Sequence, residues 1–174
     1  MKKAILTCIL LASIPLFALS APLRVVLDDN YPPYVFRTED GELRGILVEY
    51  WQAWEKHTGR KVELAGMDWN IALQHMAEGR ADVIDTMFFN KERARSFSFG
   101  KPYVEIEVPV FVDRSLQGIS DIYTLKGFII GVKSGDNVIT YLKDKGIDNL
   151  KEYPSYEAIV NAAAEEEVFV FSID

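Results

Sequence analysis

The sequence is poor in the residues that carry redox, metal and disulfide chemistry. Its single cysteine, Cys8, lies in an apolar stretch at the extreme N-terminus, so the rest of the chain offers neither a disulfide nor a thiol nucleophile. Its two histidines, His57 and His75, have no cysteine or second histidine at metal-ligand spacing, which removes any zinc motif, and no Ser-His or Cys-His pairing argues for nucleophilic catalysis. Both read as helix residues, His57 as a cation near a helix C-terminus. Positive charge is also short, with 19 Lys and Arg against 26 Asp and Glu. Without Lys2 and Lys3 the formal charge moves from -7 to -9, and no basic stripe interleaved with aromatics remains to bind nucleic acid. Beyond residue 20 there is no apolar run of the roughly 20 residues that a membrane span needs.

What is present begins with a targeting pattern. Lys2 and Lys3 precede the apolar run Ala4 to Leu19, and Ala18-Leu19-Ser20 places small residues where a signal peptidase cuts, so residues 1–20 read as a cleaved secretory signal. A retained membrane anchor is the other reading. Cys8 follows Thr7 near the start of this segment instead of closing it, which argues against lipidation. The remaining chain has the balance of a globular protein, 49% hydrophobic and 26% charged overall, with length for one ordinary core or two small ones.

Leu23 to Leu27 predicts a first strand, followed by Asp28-Asp29-Asn30-Tyr31-Pro32-Pro33-Tyr34, a loop whose prolines fix Tyr31 and Tyr34 as a binding wall or a core plug. Gly45 opens a helix carrying Leu47, Trp51 and Trp54, read as core, and Gly59 closes it. Lys61 to Leu64 is a second strand. Asp68 caps a helix with Trp69, Ala72, Leu73 and Met76 on one apolar face, and Gly79 ends it. The segment Gly79-Arg80-Ala81-Asp82-Val83-Ile84-Asp85 reads as a short buried strand, then come Asn90-Lys91-Glu92-Arg93 and the aromatic Phe97 to Tyr103. Arg93, on a loop after a buried strand, is either an anion clamp or an Arg on a solvated turn.

Val104 to Val112 predicts a crossing segment plus a strand, Ser120 to Lys126 a short capped helix, and Phe128 to Val132 a strand. The loop Lys133-Ser134-Gly135-Asp136 then leads into a helix from about Asn137 to Lys145, whose exposed N–H groups form an anion site that the Asp136 carboxylate can itself cap. Asn149 to Tyr153 is a strand, Ser155 caps a helix with Tyr156, Ile159, Val160 and Ala163 on one face, and Val168 to Phe171 is the last strand. Strand and helix alternate throughout, which argues for parallel α/β sheets with functional loops at the strands' carboxyl ends.

The run from Gly79 through Arg93 to Phe97-Ser98-Phe99-Gly100-Lys101-Pro102-Tyr103 resembles the bacterial extracellular solute-binding proteins of family 3, the two-lobed amino-acid receptors of the periplasm, also used as sensor input domains. The resemblance extends from about Leu23 to the end. It implies an α/β fold of the periplasmic binding protein type II kind, two lobes joined by a two-strand hinge: residues 21–105 as lobe I, 106–170 as lobe II and 171–174 as the start of the return crossover, with the final lobe I segment missing. The chain is then a fragment or the front of a larger receptor.

The resemblance also implies the site. Arg93 matches the position that holds a ligand carboxylate, Asp28 and Asp174 match positions that contact an ammonium, and Tyr31 and Tyr34 line the pocket. Phe88 and Phe89 stand where the family has hydroxyl donors, and Asp136 where it has Thr. Asn90 replaces the usual Thr of the Arg93 motif, and Leu47 replaces the first acid of a motif whose second is Glu49. The implied function is capture of an amino acid or related small carboxylate with an apolar or aromatic side chain, without chemistry and without a cofactor. The implied partners are a membrane transporter permease or, in the sensor reading, a covalently linked output domain. A dehydratase of the same superfamily is a third reading, which product formation from arogenate or prephenate would decide.

Overall fold

Two small, mainly parallel sheets follow one another along the chain, and the computed structural model describes residues 21–174. The signal-peptide reading of residues 1–20, Cys8 included, lies outside the described residues. In the first lobe, strand β1 (Leu23–Asp28) is central, flanked by β5 (Val62–Met67) and β6 (Val83–Ile84), both parallel to it. The period of two along β1 explains why it is buried from Val25 to Asp28, with both faces covered. Val25 and Leu27 pack beneath α1 (Ile46–Thr58) with Leu47, Val48 and Trp51. Val26 packs on the opposite face against α2 (Trp69–Ala77), with Trp69, Ala72 and Ala81. Each such aliphatic side chain contributes about 1.5–3 kcal/mol on burial.

Between β1 and α1 a small antiparallel sheet is inserted, made of β2 (Asn30–Tyr31), β3 (Val35–Arg37) and β4 (Leu43–Arg44). Gly45 starts α1 with φ 127°, and a Cβ there would stand 2.2 Å from the Tyr34 carbonyl oxygen, so only glycine fits. At α2 the Asp68 carboxylate accepts from the Asn70 N–H at 2.9 Å and caps the helix as expected.

The second sheet runs in the order β7 (Val110–Val112), β10 (Val170–Ser172), β8 (Ile130–Lys133), β9 (Leu150–Tyr153), with only β7 antiparallel. Helices α3 (Asn137–Asp144) and α4 (Tyr156–Ala164) cover its two faces. Ile130, Val132, Val138, Leu142, Ile147 and Val170 form one core layer, and Tyr153, Ile159, Ala162 and Val168 the other. The Ser172 hydroxyl donates to the Pro109 carbonyl at 2.9 Å and ties the last strand to the segment that enters the lobe.

Residues 97–109 carry no regular structure, and the strand expected within Val104 to Val112 begins at Val110. Three expectations are corrected. The β6 strand is half-buried, because it is the edge of a three-stranded sheet. The helix expected over 120–126 is a single 3-10 turn, Ile122–Leu125, capped by Asp121 and Thr124 in a reciprocal box. Val160 on α4 is 47% exposed, since the buried arc is centred on Ile159 and Ala162 and leaves its neighbour turned about 100° away.

Candidate functional site

Both sheets direct their carboxyl ends at one cleft. Asp28 ends β1 and Lys133 ends β8; Trp69 and Tyr156 open α2 and α4; Asp136 caps α3; Asp174 follows β10; Arg93 starts a 3-10 turn after β6. These residues, with Tyr31, Thr86, Phe88 and Asn137, line a narrow cleft that is partly open to solvent and largely filled by their own side chains.

The lobes touch through polar groups. The Arg93 guanidinium donates from Nη1 to the Phe88 carbonyl at 3.0 Å and from Nη2 across the cleft to the Gly135 carbonyl at 2.9 Å. Its plane lies over the Trp69 ring, 5.6 Å from the centroid. Burial pulls its pKa below the ordinary arginine value, against the carboxylates of Asp136 and Glu92, and leaves it a cation. Trp69 Nε1 donates to the same Gly135 carbonyl at 3.0 Å, and Asn90 Nδ2 donates to Asn137 Oδ1 at 2.8 Å. Lys133 and Asp28 form a buried ion pair across the boundary.

On the second lobe two carboxylates converge on one hydroxyl. Tyr156 Oη lies 2.7 Å from Asp136 Oδ2 and is also in contact with Asp174 Oδ1, while Tyr31 Oη donates to Asp174 Oδ2 at 2.7 Å. A phenol has one proton to donate, so it cannot satisfy Asp136 and Asp174 together. Burial and the neighbouring Asp136 accordingly push the Asp174 carboxyl above its ordinary range, against the pull of the two hydroxyls. Burial, reinforced by these carboxylates, likewise raises the pKa of Tyr156 and Tyr31 and keeps both phenols protonated. The site is short of one positive charge or proton.

Of the residues expected from sequence, Asp28, Tyr31, Phe88, Arg93, Asp136 and Asp174 are brought together. Tyr34 and Phe89 are not among the lining residues. Tyr34 packs behind Tyr31 with ring centroids 5.2 Å apart, and Phe89 is 62% exposed, edge-on to Phe99. Asp28 meets Lys133, and the Asp136 carboxylate accepts from the Val138 N–H at 3.2 Å as a helix cap. Trp69, Thr86, Lys133, Asn137 and Tyr156 were missed. Trp69 and Tyr156 match the apolar spacing of their helices; the signal that separates them is position, each being the first residue after a capping Asp68 or Ser155.

The model of the bacterial extracellular solute-binding proteins, family 3, matches residues 23–164. The L-cystine-binding protein TcyJ of Escherichia coli (strain K12) is 32% identical over 130 residues, covering 72% of this chain and 49% of that protein. A cyclohexadienyl dehydratase of Pseudomonas aeruginosa is 30% identical over 86 residues, which is 49% of this chain and 32% of the enzyme. Among solved structures, an ancestral arginine-binding protein bound to arginine superposes with a TM-score of 0.77 at 27% identity, covering 90% of this chain and 71% of that one. The chain thus spans about half the length of the curated relatives it resembles.

Proposed function

The chain belongs to family 3 of the bacterial extracellular solute-binding proteins, and on that premise we propose that its cleft holds an α-amino acid, exported to the periplasm and captured between residues 21–105 as lobe I and 106–170 as lobe II. One observation carries the reading: Asp136 and Asp174 crowd a single Tyr156 hydroxyl on one wall while the Arg93 guanidinium stands on the other. A ligand ammonium supplies the charge that the carboxylates lack, and a ligand carboxylate takes the Arg93 donors that the Phe88 and Gly135 carbonyls leave unused. Trp69, Phe88 and Tyr156 provide the aromatic wall for a side chain.

The ligand leaves unchanged. Its partner is a transporter permease that reads lobe closure; a covalently linked output domain would read the same motion. A thermal-shift screen of amino acids, dicarboxylates, aromatic acids and sugars tests the reading. Stabilisation by amino acids supports it, and stabilisation by sugars or dicarboxylates alone overturns it. Turnover of a cyclohexadienyl substrate would move the chain to the enzyme branch.

A further inference from the structure

Lys133 is the lysine that enters the cleft, and no part of its role follows from closing over a zwitterion. Its ammonium pairs with Asp28 across the lobe boundary, with the two side chains only 3% and 9% exposed. The same Nζ stands 4.7 Å from the centroid of the Tyr156 ring. A buried carboxylate facing an aromatic ring is an arrangement that captures an alkylammonium or guanidinium group. Here it is filled from within. The second oxygen of Asp28 is also engaged, accepting from the Asn30 N–H at 3.1 Å.

Resting on the amino-acid reading above, we propose that Lys133 is a tethered cation that occupies the Asp28 subsite, so that the cleft accepts α-amino acids with neutral side chains and rejects those ending in ammonium or guanidinium groups. A cationic side chain arriving at Asp28 meets the Lys133 ammonium in a site shielded from water, where like charges repel strongly. Displacing Lys133 instead would strand a buried ammonium without its carboxylate. Asp136 and Asp174 remain for the α-ammonium and Arg93 for the α-carboxylate, so the assignment leaves the zwitterion's own contacts intact.

A pair that served only as a latch between the lobes would behave differently, since removing either partner would weaken all ligands alike. The test uses the full chain with Lys133→Ala and with Lys133→Met, which keeps the stem and drops the charge. Two probes are applied: n-butylammonium in a thermal-shift assay, and arginine against glutamine in calorimetry. Butylammonium is expected to raise the melting temperature of the Lys133→Ala protein and not that of the wild type, and Asp28→Asn in the same background is expected to cancel the shift. The wild type is expected to favour glutamine over arginine by at least about tenfold, and Lys133→Ala to move that ratio towards arginine by about tenfold or more. A butylammonium shift in a protein that binds no amino acid upholds the Lys133 assignment and removes the amino-acid reading. Absence of the butylammonium shift from both variants, or an unchanged arginine-to-glutamine ratio in a variant that binds amino acids, overturns the proposal.

Discussion

Arg93 reaches across the cleft to Gly135, its Nη2 2.9 Å from the Gly135 carbonyl oxygen. The contact joins the loop after β6 to the loop before α3 without using the whole guanidinium fork, so donors remain for a ligand. It also makes Gly135 a point where lobe closure can be tested apart from ligand contact. Gly135 has φ 75°, and a Cβ there would lie 2.5 Å from Asn70 Oδ1 and 3.3 Å from Trp69 Cδ1.

Gly135→Ala is therefore expected to loosen closure. The left-handed backbone alone costs a residue with a side chain about 1–2 kcal/mol, and the new methyl pushes on α2 from the opposite lobe. Small-angle scattering should report a larger radius of gyration than for the wild type, and ligand affinity should fall. Asn70→Ala in that background should recover part of the loss, because it removes the nearest obstacle and leaves the backbone term and the looser approach to Trp69. An unchanged radius with unchanged affinity would separate Gly135 from closure.

Asp85 organises the first lobe behind the cleft. It is buried and accepts from Trp51 Nε1 at 2.8 Å, from the Thr86 N–H at 2.8 Å and from the Tyr103 hydroxyl. Asp85→Ala leaves the Trp51 indole N–H buried without a partner, a loss of about 1–3 kcal/mol. Urea unfolding followed by tryptophan fluorescence should show a lower midpoint with an unchanged slope. Asp82, paired with Arg24 on the surface, should be nearly silent in the same assay at neutral pH.

The raised pKa of Asp174 gives binding a pH dependence of definite sign. An ammonium ligand favours the charged carboxylate, so binding lowers that pKa and releases a proton wherever the free protein still holds one. Affinity should be level above the Asp174 pKa and fall as pH drops through it, and that pKa lies above the ordinary aspartate value because of burial and Asp136. Asp174→Asn should flatten the profile while lowering affinity throughout. Calorimetry in two buffers of different ionisation heat measures the proton release directly, and proton uptake on binding would contradict the assignment.

Much of this architecture was legible in the chain. Alternating strands and helices gave the element order, and the caps at Asp68, Asp136 and Ser155 placed three helix starts because a short polar side chain before an apolar face has few other uses. Asp28, Tyr31 and Arg93 could be grouped because each follows a strand end, whereas Asp174 was placed only by the family resemblance. Lys133 escaped because a lysine after a strand is usually solvated, and only pairing of the two lobes shows that Asp28 lies opposite it. Phe88 lines the cleft, and Phe89 packs edge-on against Phe99, a difference between neighbours of one residue type that sequence alone does not show.

The central claim is that one molecule is held by its carboxylate at Arg93 and by its ammonium at Asp136 and Asp174. Calorimetry with the best-stabilising amino acid, its decarboxylated amine and its deaminated acid, each against wild type and Arg93→Ala, tests this most directly. Both analogues should bind the wild type more weakly, by about 2–5 kcal/mol for loss of a buried charged contact. Arg93→Ala should weaken the amino acid by a similar amount while leaving the amine nearly unchanged. An amine that binds wild type as tightly as the amino acid, or an amino acid indifferent to Arg93→Ala, would contradict the account.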